Sequence, residues 1–274
     1  MSTLKQPRRI VVARSVLVIA IVVFFLWPLV WMVLASFKDN ATITDPTKLF
    51  AFTPTLENFT TVLVTQDFLK YTFNSLFISV ASTFLALLVG VPAAYSVARY
   101  RVTKASGFVM LARIIPGISL LIPWYYIFAQ IGWVGSYQAL ILANTFVGLP
   151  LVVAIMIGYF DGMSPELEEA AMIDGLSRFG AFARITVPLS TPGIATSAIL
   201  SFIFAWNNFL FSLVLAGRDT LTLPAAIFQF LSFLGVDWGG LMAASVVITV
   251  PVMLIALFLQ RYIVSGLTAG ATKG

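Results

Sequence analysis

The chain has 274 residues, 60% of them hydrophobic and only 10% charged, against about 25% charged in an ordinary soluble domain, and its mean hydropathy of +1.00 suits lipid as a solvent. With no cysteine and no histidine, it excludes disulfides, thiolate chemistry and imidazole-based catalysis or metal binding. The formal charge of +5 comes from basic residues scattered beside apolar runs, which argues against nucleic acid as a partner.

A bilayer core about 30 Å thick demands about 20 apolar residues of a helix. Apolar runs of that length predict an all-α integral membrane protein with six transmembrane helices, over about 15–36, 71–98, 106–129, 138–159, 192–216 and 239–259. The first run is longer than a signal-peptide core and is expected to remain as an anchor. Residues 1–14 then form a short N-terminal segment, 37–70 an external loop, 160–191 an internal loop and 260–274 a tail. The Lys and Arg balance sets the orientation. With the N-terminus inside, the inner segments hold Lys5, Arg8, Arg9, Arg14, Arg99, Arg101, Lys104, Arg178, Arg184, Arg261 and Lys273, and the outer ones only Lys38, Lys48, Lys70 and Arg218. Both termini are therefore expected in the cytoplasm of a multi-pass plasma-membrane protein. Arg113 falls inside the third run, where it either snorkels to the inner face or lines a pathway. Pro28, Pro92, Pro116, Pro123, Pro150 and Pro251 lie within spans and read as kinks.

The internal loop carries strong helix punctuation. Ser164, Pro165 and the acids Glu166, Glu168 and Glu169 mark a helix start, and that helix is expected to run to Asp174. Gly175 supplies a position that tolerates positive φ, and Ser177 is placed to cap a second short helix.

Glu169-Ala170-Ala171, then Gly175, Ile185, Val187 and Pro188, resemble the EAA loop of ATP-binding-cassette importer permeases, with Val187 where that family usually has Leu. The match extends to Ile122-Pro123, to the run from Phe204 to Phe209 and to the ending from Gly266 to Gly274. It is closest to the carbohydrate branch, of the smaller maltose-transporter permease type.

The resemblance implies a type I importer permease that is not itself an enzyme and binds no cofactor, with ATP and Mg on partner subunits. Those partners would be a second homologous permease, two ATP-binding-cassette ATPase subunits and an extracytoplasmic solute-binding protein. Glu169, Ala170, Ala171, Asp174, Gly175, Ile185 and Pro188 would belong to a coupling helix and loop docked on an ATPase subunit, the small alanines permitting close approach. The tail, with Gly270 and Lys273, would reach the interface between the ATPase subunits. The external loop Gly217 to Trp238 would project toward the binding protein, with Phe228, Gln229, Phe230 and Trp238 facing sugar; the same aromatics also suit simple interfacial anchoring.

A neutral carbohydrate needs amides, hydroxyls and aromatic faces along its path. Asn74, Trp124, Tyr125, Tyr126, Asn144, Trp206, Asn207, Asn208 and Arg113 are the candidates, with Asn207 and Asn208 expected to avoid lipid because two adjacent amides there are costly. A phosphorylated polyol such as glycerol phosphate is the alternative cargo. An ion-coupled secondary transporter would require intramembrane charges and inverted repeats, and a membrane-embedded enzyme a cluster of catalytic groups; neither pattern is visible.

Overall fold

The computed structural model describes residues 8–232 and 235–269, without the side chains of 8, 9, 103, 105, 110 and 259–269. Its main helices are α1 (Arg8–Ser36), α2 (Phe68–Arg99), α3 (Thr103–Ile114), α4 (Leu121–Gln130), α5 (Tyr137–Asp161), α6 (Glu166–Ile173), α7 (Thr191–Trp206), α8 (Phe209–Leu215) and α9 (Trp238–Ala269). Four stretches are each long and apolar enough to cross a bilayer: Ile10–Ser36, Phe68–Arg99, Tyr137–Asp161 and Trp238–Phe258.

The other two expected spans are interrupted. The third, 106–129, turns by 90° after Ile114. Proline disfavours helical angles in the residue before it, and Ile115 is extended (φ −68°, ψ 117°) ahead of Pro116. A kink was expected at Pro116, and the structure has a break; Pro28, Pro92, Pro150 and Pro251 stay inside continuous helices. The fifth, 192–216, stops at Asn207 and restarts as α8. The expected boundaries also move outward at both ends. Helix α1 begins at Arg8, and α9 runs to Ala269, so much of the tail placed at 260–274 is helical. Gly270 and Lys273 lie outside the described residues.

The chain divides into two compact units. In the unit formed by residues 1–68 and 227–249, the segment that follows α1 is a small folded lobe. Lys38 is only 1% exposed. Its ammonium donates to the carbonyls of Lys48 (3.1 Å) and Leu49 (2.6 Å) and faces the Trp31 and Phe52 rings. A buried cation is tolerated because those oxygens and ring faces replace water. Asn58 donates to the carbonyls of Ser36 and Lys38, and Asn40 bonds both Asp237 and the Gly239 N–H.

In the other unit, residues 69–226 and 250–274, α2 and α5 run parallel. Tyr137 donates to Asn74 (2.7 Å), Thr145 to the Ser82 carbonyl, and Tyr95 packs edge-on against Phe160. Helix α7 runs antiparallel to α5, with Gly193 beside Tyr159 and Gly148 beside Ser201. This alternation is what successive spans require. At the Asn74 end, the Asn74 amide donates to the carbonyls of Asp219 and Leu221, and Lys70 binds Asp219 at 2.6 Å. That ammonium holds the Asp219 carboxyl below its ordinary value, so the pair is complete at neutral pH and opens as pH falls through the lowered value. Asn74, a pathway candidate by sequence, is fully buried and ties loop 217–223 to α2.

Candidate functional site: a helical loop at the bundle end and a groove at the helix breaks

At the end of the bundle opposite Asn74, the chain leaves α5 and forms α6. Ser164 Oγ accepts from the Glu166 N–H, and the Pro165 carbonyl accepts from Glu168 and Glu169. The three first-turn acids oppose the helix dipole. Helix α6 ends at Ile173, one residue before the expected Asp174. The Leu176 N–H bonds the Ala171 carbonyl and the Gly175 N–H bonds that of Met172, the double closure of a Schellman end. It needs a left-handed residue, and Gly175 has φ +94°. Ser177 Oγ then accepts from the Gly180 N–H, capping the expected second helix, Arg178–Ala181. A π-helical turn, Phe182–Thr186, leads to a 73° elbow before α7.

Nothing lies within 4 Å of a Cβ built on Gly175, so substitution there acts through backbone strain alone. Gly175→Ala is expected to cost about 1 kcal/mol and Gly175→Val about 2–3 kcal/mol, because branching worsens a positive φ. Thermal unfolding of the detergent-purified chain reads the order; equal midpoints for both variants would contradict it.

Helix α6 has two distinct faces. Glu168 and Ala171 are buried, while Glu169, Ala170 and Ile173 point outward. Of the two alanines only Ala170 stands on the exposed face; Ala171 packs inward, three residues on from Glu168 along one helical face. Asp174 and Pro188 are exposed and Ile185 is half-buried. Two residues not singled out from the sequence belong to the exposed surface, Ile173 (86% exposed) and Phe179 (77% exposed). Their signal was present, as large apolar residues flanking Gly175 in a loop placed in water.

Glu168 was also missed as a site residue. It is 8% exposed, and its carboxylate accepts from Tyr95 Oη (2.7 Å) and Thr186 Oγ1 (2.9 Å) and pairs with Arg99 Nε (3.2 Å). Arg99 also reaches Glu169 at 3.5 Å and the Pro165 carbonyl at 3.3 Å.

The two helix breaks open onto one groove of about 500 Å³, lined by Gly117, Ile118, Val147, Ile203, Phe204 and residues 207–211. Asn207 and Asn208 both line it. Asn207 donates to the Ile203 carbonyl (2.8 Å), and Asn208 Oδ1 accepts from the Phe211 N–H as the cap of α8. Both amides stand where the helix stops, and each is partnered by backbone of the break. An N-cap accepts Asn or Asp alike.

Other pathway candidates fall elsewhere. Trp206 is 1% exposed and stacks on Phe202, so it is a packing residue. Asn144 is buried and donates to the Leu140 carbonyl of its own helix. Tyr125 and Tyr126 are exposed, and Trp124 stacks on Phe128. Arg113 is exposed in the last turn of α3, where a cation complements the helix dipole; it does not line the groove. In the unit of residues 1–68 and 227–249, Phe228, Gln229 and Trp238 are exposed, but Phe230 is buried against Phe68. A short hairpin pairs Leu231–Ser232 with Gly235–Val236.

Comparison with known proteins gives these features a common setting. The trehalose/maltose transport system permease protein MalG of Thermococcus litoralis is 37% identical over 274 residues, covering 97% of this chain and 98% of the relative. The sulfoquinovosyl glycerol transport system permease protein SmoH of Agrobacterium fabrum is 35% identical, covering 98% and 94%. In fold, the chain matches a subunit in the crystal structure of a bacterial ABC transporter involved in import of the acidic polysaccharide alginate, with a TM-score of 0.79 and 19% identity over 96% of this chain and 99% of the other. Residues 86–269, which include α6, both helix breaks and all of α9, match the binding-protein-dependent transport system inner membrane component family, and the chain is a multi-pass membrane permease belonging to that family.

Proposed function

We propose that this chain is one of two permease subunits of an importer that takes a neutral carbohydrate from an extracytoplasmic solute-binding protein and releases it into the cytoplasm. ATP and Mg are bound by two partner ATPase subunits; this sequence has no Gly-rich phosphate loop. The observation that carries the reading is the exposed face of α6. An acid, a small residue and a large apolar group, Glu169, Ala170 and Ile173, project from it, and the short helix that follows exposes a second large apolar group, Phe179. Such a surface suits an apolar cleft with a basic rim on the ATPase. The same end carries Arg99, Arg101, Arg178 and Arg184, which supports a cytoplasmic position for it and for both termini.

A carbohydrate is favoured by the relatives' cargoes and by the groove. Its lining offers two amides and aromatic rings and no charged side chain. A phosphorylated polyol calls for a cation there, and Arg113 lies outside it. Phe228, Gln229 and Trp238 are assigned to the binding-protein side, and Gly270 and Lys273 to the ATPase interface. Removing residues 270–274 is expected to lower ATPase activity and uptake together without affecting membrane insertion, which depends on apolar span length.

The test is uptake of radiolabelled disaccharides into proteoliposomes containing this chain, its co-purified permease and ATPase subunits, and the solute-binding protein. Uptake that needs ATP and every subunit is expected. Accumulation by this chain alone on an ion gradient would replace the proposal with a secondary carrier.

A further inference from the structure

Resting on the importer reading above, we infer that Glu168 is the positioning residue that makes α6 move as one body with α2 and with the entry to α7, so that a displacement of the exposed face reaches the groove at Asn207 and Asn208. The carboxylate is the point where three elements meet. One oxygen takes the Tyr95 hydroxyl and the Arg99 guanidinium, both on the last turns of α2. The other takes the hydroxyl of Thr186, itself 1% exposed, in the π-helical turn before the elbow. The connection continues rigidly on both sides. Ser190 Oγ donates to the Thr186 carbonyl at 2.6 Å, tying the turn to the elbow. Tyr95 is wedged between Phe160 and Phe182, with ring centroids 5.7 and 4.6 Å away.

Helix α7 then runs uninterrupted from the elbow to Trp206, and Asn207 follows at the groove. Glu169, one residue away, is turned outward, and its carboxylate pairs with Arg99. The two adjacent acids thus divide the work: Glu169 meets what pushes, and Glu168 carries the push inward. A buried carboxylate with charge-assisted bonds on both oxygens is a stiff joint, because losing any partner leaves a polar group unpaired where water is scarce.

The experiment uses the assembled complex in proteoliposomes and reads substrate imported per ATP hydrolysed. Glu168→Gln keeps the shape but removes the charge facing Arg99. Tyr95→Phe and Thr186→Val each delete one hydroxyl donor. Each is expected to lower the import-to-hydrolysis ratio at least about threefold, with a larger loss for Tyr95→Phe combined with Thr186→Val, while the amount of assembled complex stays near that of the parent. Should Glu168→Gln fail to assemble, the two hydroxyl variants decide. A merely structural Glu168 would lower the yield of complex and leave the ratio of what remains unchanged, and that result in all three variants would overturn the inference. Absence of ATP-driven uptake in the parent complex would instead remove the importer reading itself.

Discussion

Glu169→Lys is expected to eliminate ATP-driven uptake while the chain remains folded in the membrane. Within this chain Glu169 contributes little. Its side chain is 60% exposed, and its pairing with Arg99 at 3.5 Å belongs to the class of surface ion pairs worth about 0–1 kcal/mol. Arg99 keeps Glu168 and the Pro165 carbonyl as partners, so the bundle end survives the reversal. The effect falls on the face of α6 proposed to dock on the ATPase, which Glu169 shares with Ala170 and Ile173. Reversing one member of a desolvated charge pair costs about 2–5 kcal/mol or more, which is about 30-fold in affinity at the lower end. Co-purification of the ATPase subunits and uptake should fall together, and Glu169→Gln should show a smaller loss of both. Full uptake by Glu169→Lys would remove the residue from the interface.

Much of this was legible before the fold was seen because local rules and span length carry far in a membrane protein. The Ser, Pro and acid cluster at residues 164–169, Gly175 and the Ser177 cap each behave as isolated peptide chemistry dictates. Four spans have the expected type and approximate length. What was illegible depended on direction. Composition distinguishes lipid from water but not the inside of the bundle from its groove, so Trp206 and Asn144 looked like pathway residues and are packed within the bundle. The two breaks were half visible. Pro116 stands in one span, but four other prolines, Pro28, Pro92, Pro150 and Pro251, leave their helices continuous; at Ile115 the residue before the ring abandons helical angles. Asn208 offered a capping signal in the middle of an apolar run, where its polarity drew attention and its capping role did not. Glu168 was hidden by its neighbour. A run of acids reads as a solvated face, and it is partners distant in sequence, Tyr95 and Arg99 on α2 and Thr186 beyond the turn, that hold Glu168 inward.

Gly90→Leu is expected to prevent stable folding of the unit that carries both sites. Helices in lipid gain no hydrophobic free energy by associating, since the tails are as apolar as their side chains; close packing over small residues has to supply the attraction. Helix α2 provides such a stripe toward α5, with Ala86, Gly90 and Ala94 all buried. A Cβ at position 90 would lie 2.8 Å from Val152 Cγ1 and 3.3 Å from Leu149 Cδ1. Val152 is itself fully buried in a cluster with Val153, Met156 and Phe160, so it has nowhere to retreat. Overpacking of this kind costs about 1–3 kcal/mol for modest insertions, and Leu adds three carbons beyond the one that already collides. The decisive comparison uses the smaller change. Gly90→Ala gains about 1 kcal/mol in helix propensity but meets Val152, and is expected to be neutral to destabilising in the parent chain. Val152→Ala removes the colliding methyl at a cost of about 1–2 kcal/mol. In that background Gly90→Ala should stabilise by about 1 kcal/mol, so the substitution changes sign and the coupling between the two positions exceeds about 1 kcal/mol. Thermal unfolding followed by tryptophan fluorescence in detergent measures all four chains. The same shift from Gly90→Ala in both backgrounds would mean that α2 and α5 do not meet at this pair.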